Sequence, residues 1–150
     1  MSVAGILRTK GASVITIRSY ATIRELVRGL RDEGIGAMVV CNDGRTILGI
    51  ITERDVVRAL ADRGATILDT SVSDLMTRQV TTCTPQDSVK HVMGLMTTHR
   101  IRHVPVVDGG RLAGMVSIGD VVKNRLEEME TEANVLREAY IAGERRAPHH

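Results

Sequence analysis

Gly49–Val57 reads GIITERDVV, and sixty-five positions later Gly114–Val122 reads GMVSIGDVV. In each, an apolar stretch led by glycine reaches a hydroxyl residue, Thr52 or Ser117, and three places on an aspartate, Asp55 or Asp120. The pattern is a β-strand passing into an α-helix. Its [ST]-x-x-[DE] spacing is that of a capping box, in which the hydroxyl accepts from a free backbone N–H and the acid reaches back. Seen once, it is explained as a helix cap. Seen twice, at the same place in a repeated unit, it makes the unit the first thing to read.

The repeat extends outward in both directions. Val14–Ile23 (VITIRSYATI) falls on Val80–Val89 (VTTCTPQDSV), and Ile35–Arg45 (IGAMVVCNDGR) on Ile101–Arg111 (IRHVPVVDGGR), at a shift of 66. Beyond the turn the shift becomes 65, because the first copy carries one extra residue near Thr46. Val14, Ile15 and Ile17 form a short β-prone run matched by Val80–Cys83. Ile23, Leu26, Val27 and Leu30 then fall on one face of an amphipathic helix, as do Val89, Val92, Met93 and Met96. The first helix is expected to end at Gly34 and the second to start at Thr84 and Pro85.

The runs AMVV and HVPVV follow, each ended by a turn, NDG or DGG, and then by ILGII or LAGMV. That is strand, tight turn, strand. Each half therefore reads β-α-β-β-α, and a half of roughly 50 residues is marginal alone. The expected fold is mixed α/β (α+β), two such repeats packed about a pseudo-twofold axis. Residues 1–13 are expected to contribute to the first repeat, 14–68 to form it, 69–79 to connect with a short helix around Val72–Met76, and 80–125 to form the second repeat. Residues 126–146 are read as a long C-terminal helix, and 147–150 as a disordered tail. In that helix Val122, Leu126, Met129, Ala133 and Leu136 lie near a 3.5-residue period. About two heptads do not establish a coiled coil, so a helix covering its own domain and a dimer-forming helix both stand.

Composition narrows the function classes. In 150 residues, hydrophobic residues make up 43% and aromatic ones 1%, with no Trp or Phe. The core must be Val, Ile, Leu and Met, and stacking platforms for single-stranded nucleic acid are absent. A net charge of +2, from 20 basic and 18 acidic residues, is mild for a polyanion binder, so nucleic acid is not expected as a partner. Cys41 and Cys83 show no CxxC or zinc spacing and read as free buried thiols. No apolar run is long enough to span a membrane, and no long apolar segment opens the chain, so a cytoplasmic protein is expected. There is no HExxH, GxGxxG or Walker loop, and no histidine in a recognisable Ser or Cys motif. Neither catalysis, a catalytic cofactor nor a metal is expected.

Strand, helix, strand-turn-strand, then Gly-h-h-[ST]-x-x-Asp opening a helix, present twice, resembles a tandem pair of cystathionine β-synthase (CBS) domains, a Bateman module. The resemblance covers roughly residues 1–125. It implies an adenosine-containing ligand in clefts between the repeats (AMP foremost, or ADP, ATP, NADH or S-adenosylmethionine) and a homodimer. It implies that Asp120 holds ribose hydroxyls in one cleft with Ser117, and that Ile15, Ile35, Gly36 and Ala37 enclose the adenine. In the other cleft it implies Asp55 with Thr52, and Thr81, Ile101, Arg102 and His103 around the base. Arg54, Arg102 and His103, with His99 and Arg100 nearby, are cationic candidates for phosphate. Gly119 stands where the first repeat has Arg54, and IGA (Ile35–Ala37) where the second has IRH. The clefts are therefore expected to differ, the Asp120 cleft being roomier and less charged. The alternative is a structural module with empty clefts, whose aspartates are only caps and whose C-terminal helix docks a protein partner.

Overall fold

The computed structural model of the chain describes residues 1–146; the tail 147–150, expected to be disordered, lies outside the described residues. The chain forms α1 (Val3–Lys10), β1 (Thr16–Ile17), α2 (Ile23–Glu33), β2 (Ala37–Val40), β3 (Gly49–Thr52) and α3 (Glu53–Arg63). A 3₁₀ segment (Gly64–Asp69) and the short α4 (Val72–Leu75) lead to α5 (Val89–His99), β4 (His103–Asp108), β5 (Arg111–Ser117) and α6 (Ile118–Arg146).

The two repeats are built alike. β1 runs parallel to β2, and β2 antiparallel to β3, with Ile17 opposite Val40. In the second repeat β4 and β5 pair antiparallel, and the expected first strand shrinks to one parallel bridge between Cys83 and Val106. Those two residues are the 66-shifted counterparts of Ile17 and Val40, so the register is kept while the strand is shortened. Cys41 and Cys83 are free and buried, and burial, helped by Asp87, pushes the Cys83 thiol up to about 11.

Each repeat has its own apolar core. Ile23, Leu26, Met38, Ile51, Val56 and Val72 centre the first, and Val3, Val89, Val92, Val104, Val116 and Val121 the second. Residues 1–13, expected with the first repeat, are corrected by this packing: Val3 and Ile6 of α1 are buried in the second core. Reciprocally, α4, which leads into the second repeat, is buried through Val72 in the first. The exchange is fastened the same way at both ends. Ser2 bridges Ser88, the N-cap of α5, and Ser71 bridges Thr22, the N-cap of α2.

Glycine makes room for both arms. A Cβ at Gly49 would lie 2.8 Å from the Thr77 carbonyl oxygen and 2.8 Å from Met76 Sδ, and one at Gly114 would lie 2.7 Å from Leu7 Cδ2. The glycine that opens each repeated phrase is thus where the exchanged arm crosses the sheet.

Three local expectations are corrected. The helix start at Thr84 and Pro85 is a turn, with Asp87 N–H donating to the Thr84 carbonyl, and α5 begins after Ser88, whose hydroxyl accepts from His91 N–H. The DGG turn is tight, with Gly109 and Gly110 at φ 58° and 79°, but NDG opens a longer loop from β2 to β3. Asp43 organises that loop, accepting from Arg45 N–H, Thr46 N–H and the Thr46 hydroxyl, and these bonds hold its carboxyl far below the usual carboxylate range. Finally, Val27 and Met93, equivalent positions on the expected apolar faces of α2 and α5, are exposed.

Gly34 closes α2 in the left-handed conformation, as expected, but its counterpart on α5 is Arg100 at φ 54°. A side chain there carries a left-handed penalty of about 1 kcal/mol. Arg100→Gly is therefore expected to stabilise the chain by about 1 kcal/mol, and Gly49→Ala to destabilise it by about 1–3 kcal/mol because a backbone carbonyl blocks the new methyl. Chemical denaturation of the two variants against the parent checks both signs.

Candidate functional site

Both repeated phrases fold as capping boxes. The Thr52 hydroxyl accepts from Asp55 N–H at 3.3 Å while Asp55 Oδ2 accepts from Thr52 N–H at 2.9 Å. Ser117 and Asp120 repeat this at 3.2 and 2.8 Å. The cap occupies one carboxylate oxygen in each case. Among the described residues no hydrogen bond reaches Asp120 Oδ1, and Asp55 Oδ1 is met only by the Thr77 hydroxyl at 3.5 Å. An ionised carboxylate accepts at both oxygens, so each aspartate retains acceptor capacity beyond its cap.

The exchanged arms bring two residues that the repeat pattern did not single out. Thr77, just past α4, reaches Asp55. Lys10, the last residue of α1, is at 2.6 Å from Asp120 Oδ2 and 2.8 Å from the Met115 carbonyl oxygen. Burial pushes the Asp120 carboxyl up, but the Lys10 hydrogen bond, the Ser117 N–H and the Lys10 charge outweigh it, leaving the group below its ordinary range. Lys10 was not legible because residues 1–13 were assigned to the first repeat. The 66-residue spacing gives no signal for it: the counterpart of Val72 is Val3, 69 before it, the N–H of each donating to the equivalent carbonyls of Ala21 and Asp87.

The repeats meet around Gly36. A Cβ there would lie 2.8 Å from Glu53 Oε1 and 3.3 Å from His103 Cε1. The space left by this glycine is filled by a carboxylate and an imidazole, which corrects the expectation of a roomier, less charged wall on the Asp120 side. His103, expected around the Asp55 cleft, is corrected too. β4 pairs it with Ser117, and its electrostatic neighbours are Glu53, Lys10, Asp120 and Arg102. Burial pushes the His103 ring below its ordinary value despite Glu53, so it is a neutral donor and acceptor at pH 7 rather than a cation for phosphate.

Arg54 crosses between repeats, its Nη1 donating to the Arg100 carbonyl at 3.4 Å from an exposed position at the start of α3. That places a guanidinium, from the residue before Asp55 in sequence, at the join of the repeats. Ala37 is buried opposite Thr52, and Ile35 is half-buried against the first core. Ile15 is exposed beside β1, and Thr81 is half-buried. Ile101 packs on the second core, and with Arg102 it lines a groove of about 320 Å³ between α5 and α6 that also includes Met93, Met96, Val122 and Leu126. His99 is exposed at the end of α5.

A family model described as CBS domain matches residues 4–62 and again 72–127. A mitochondrial CBS domain-containing protein of Arabidopsis thaliana is 36% identical over 150 residues, 95% of this chain and 72% of the relative. The crystal structure of a CBS-domain containing protein from Agrobacterium tumefaciens superimposes with TM-score 0.81 at 45% identity, covering 83% of this chain and 99% of that one. A CBS domain pair solved in complex with 5′-methylthioadenosine and S-adenosyl-L-methionine superimposes at TM-score 0.72 and 27% identity, covering 85% and 98%. No helix among the described residues is long and apolar enough to cross a membrane.

The Lys10–Asp120 contact sets a pH dependence. A carboxyl held low when folded adds stability that is present at neutral pH and lost as pH falls through its folded value. Lys10→Met is expected to raise the Asp120 titration and to move the acid limb of unfolding to higher pH. Carboxyl carbon NMR of Asp120 across an acid titration reads the first, and thermal unfolding at stepped pH the second.

Proposed function

The chain belongs to the CBS-domain family as a tandem pair, and from that premise we propose that it is a regulatory module binding an adenosine-containing ligand between its repeats, without catalysis of its own. The observation that carries this is the doubled aspartate at the join of the repeats, each using one oxygen for its cap and keeping the other. A cis-diol needs acceptors for two adjacent hydroxyls, and a hydrogen bond to a carboxylate contributes about 1.5–3 kcal/mol. The complex of a related pair with 5′-methylthioadenosine and S-adenosyl-L-methionine supports an adenosine group as the shared feature.

The two clefts differ in their cations. In the Asp120 cleft Lys10 already neutralises the carboxylate, so a ribose there shares or displaces an ammonium, and Ser117 lies at the start of α6, where free N–H groups favour an anion. In the Asp55 cleft Arg54 supplies the charge for a phosphate and Thr77 flanks the acid. AMP, ADP, ATP and NADH fit the Asp55 cleft by this chemistry, and S-adenosylmethionine, which carries no phosphate, fits either. We read the module as a homodimer as well. Val27 and Val57 in the first repeat and Met93 and Val122 in the second are exposed apolar side chains at equivalent positions, which leaves the same face of each repeat without a partner.

A thermal-shift series with AMP, ADP, ATP, NADH and S-adenosylmethionine tests the reading on the parent, Asp55→Ala and Asp120→Ala. A ligand at about a hundred times its dissociation constant adds about 2.7 kcal/mol of apparent stability. One of the five is expected to raise the melting point, and one aspartate variant to abolish that rise beyond the cost of its lost cap, about 1 kcal/mol. If no ligand shifts any form and both variants merely melt lower, the aspartates are caps and the module is an interaction scaffold.

A further inference from the structure

α6 continues far past the second repeat, and its two sides are unlike. Val121 and Asn124 are buried against the module, at 2% and 7% exposure, and Glu128 is half-buried on the same side. The stripe Val122, Leu126, Met129, Ala133, Leu136 and Tyr140 lies on another side, spaced by alternating fours and threes; Val122 and Leu126 edge the groove with α5, yet all six are exposed, Leu126 at 55% and Leu136 at 71%. Because α6 begins at Ile118, this seam spans about three heptads, with Gly119 before it and Gly143 after it in phase. The helix covers its own domain with a different side from the one that carries the period. A single helix exposed on all sides is marginal in water, and an apolar seam of this length calls for a second helix.

The charges beside the seam select that helix. In a parallel, in-register pair each residue on one flank sits beside the residue five places on in the other chain. Arg125 then faces Glu130 of the second copy, and Glu132 faces Arg137, with opposite signs at both. The antiparallel pairing that stacks the same apolar residues sets Glu132 against Glu132, Glu130 against Glu130, and Lys123 against Arg137, like against like throughout.

We propose that α6 pairs with α6 of a second copy of this chain as a parallel, in-register two-stranded coiled coil along Val122–Tyr140. This rests on the homodimer reading above and is independent of the ligand reading. It fixes the geometry of the dimer: the twofold axis runs along the helix pair, and both modules sit at the same end of it.

The test uses the full chain with single cysteines. Cys41 and Cys83 are buried, so the parent is the background control. Met129→Cys and Leu136→Cys are each expected to form a disulfide-linked dimer under mild oxidation, because in-register seam positions meet their own copies, whereas Glu138→Cys on the outer side does not. Light scattering gives the mass of each form before oxidation. A dimeric mass with crosslinking absent or confined to one seam position overturns the parallel seam and leaves the homodimer; a monomeric mass overturns both. As a second readout, Glu132→Arg is expected to raise the dimer dissociation constant about tenfold, and Glu132→Arg with Arg137→Glu to restore it. Equal affinity for the parent and the single variant also overturns the proposal.

Discussion

The structure depends on a reciprocal exchange. The arm that precedes each repeat completes the core of the other, α1 through Val3 and Ile6 in the second and α4 through Val72 in the first. Neither half closes its apolar core with its own sequence, so the two cannot part without each exposing a buried helix. Part of the candidate site follows from the exchange. It presses backbone onto Gly49 and a leucine onto Gly114, and it carries Thr77 to Asp55 and Lys10 to Asp120. The join between repeats is therefore a fixed surface, on which Gly36, Glu53 and His103 meet.

Much of this was legible in the sequence because it is written twice. The capping boxes, the β2–β3 and β4–β5 pairs, the Gly34 cap and the length of the last helix all follow from period and spacing, and all form. The misreadings share one cause, which is that short-range pattern does not say which core a segment joins. α1 has an apolar face but no local feature that names its partner, so pattern alone groups residues 1–13 with the first repeat and gives Lys10 no role at Asp120. Thr84-Pro85 has the form of a helix start, yet the bridge of Ser88 to Ser2 moves the start to Val89. The family's pairing of repeats points His103 at the Asp55 cleft, whereas its own strand register puts it opposite Ser117.

Two roles meet in the paired aspartates without conflict. A cap needs one acceptor directed back along the helix start, and a ligand needs another directed outward. Near-identical caps then sit in unlike surroundings, one met by a threonine hydroxyl at 3.5 Å, the other by an ammonium held at 2.6 Å. The cap is the same in both repeats, while the exchanged arms and the change from Arg54 to Gly119 make the two sites different. Asn124, buried on α6 with its Oδ1 unpartnered among the described residues, is a polar group that neither role uses.

The exchange of arms also orders events in time. A chain made from its N-terminus has the first arm, Val3–Lys10, finished long before the partner that will cover it, since Val3 N–H bonds to the Asp87 carbonyl. The first repeat closes as soon as α4 emerges, a short distance behind α3. The second must wait for α5, β4 and β5 and then retrieve a segment already displaced from the growing end. Contacts that far apart in sequence form slowly. The first arm is thus the last of these elements to find its place, and until it does the second half stays open.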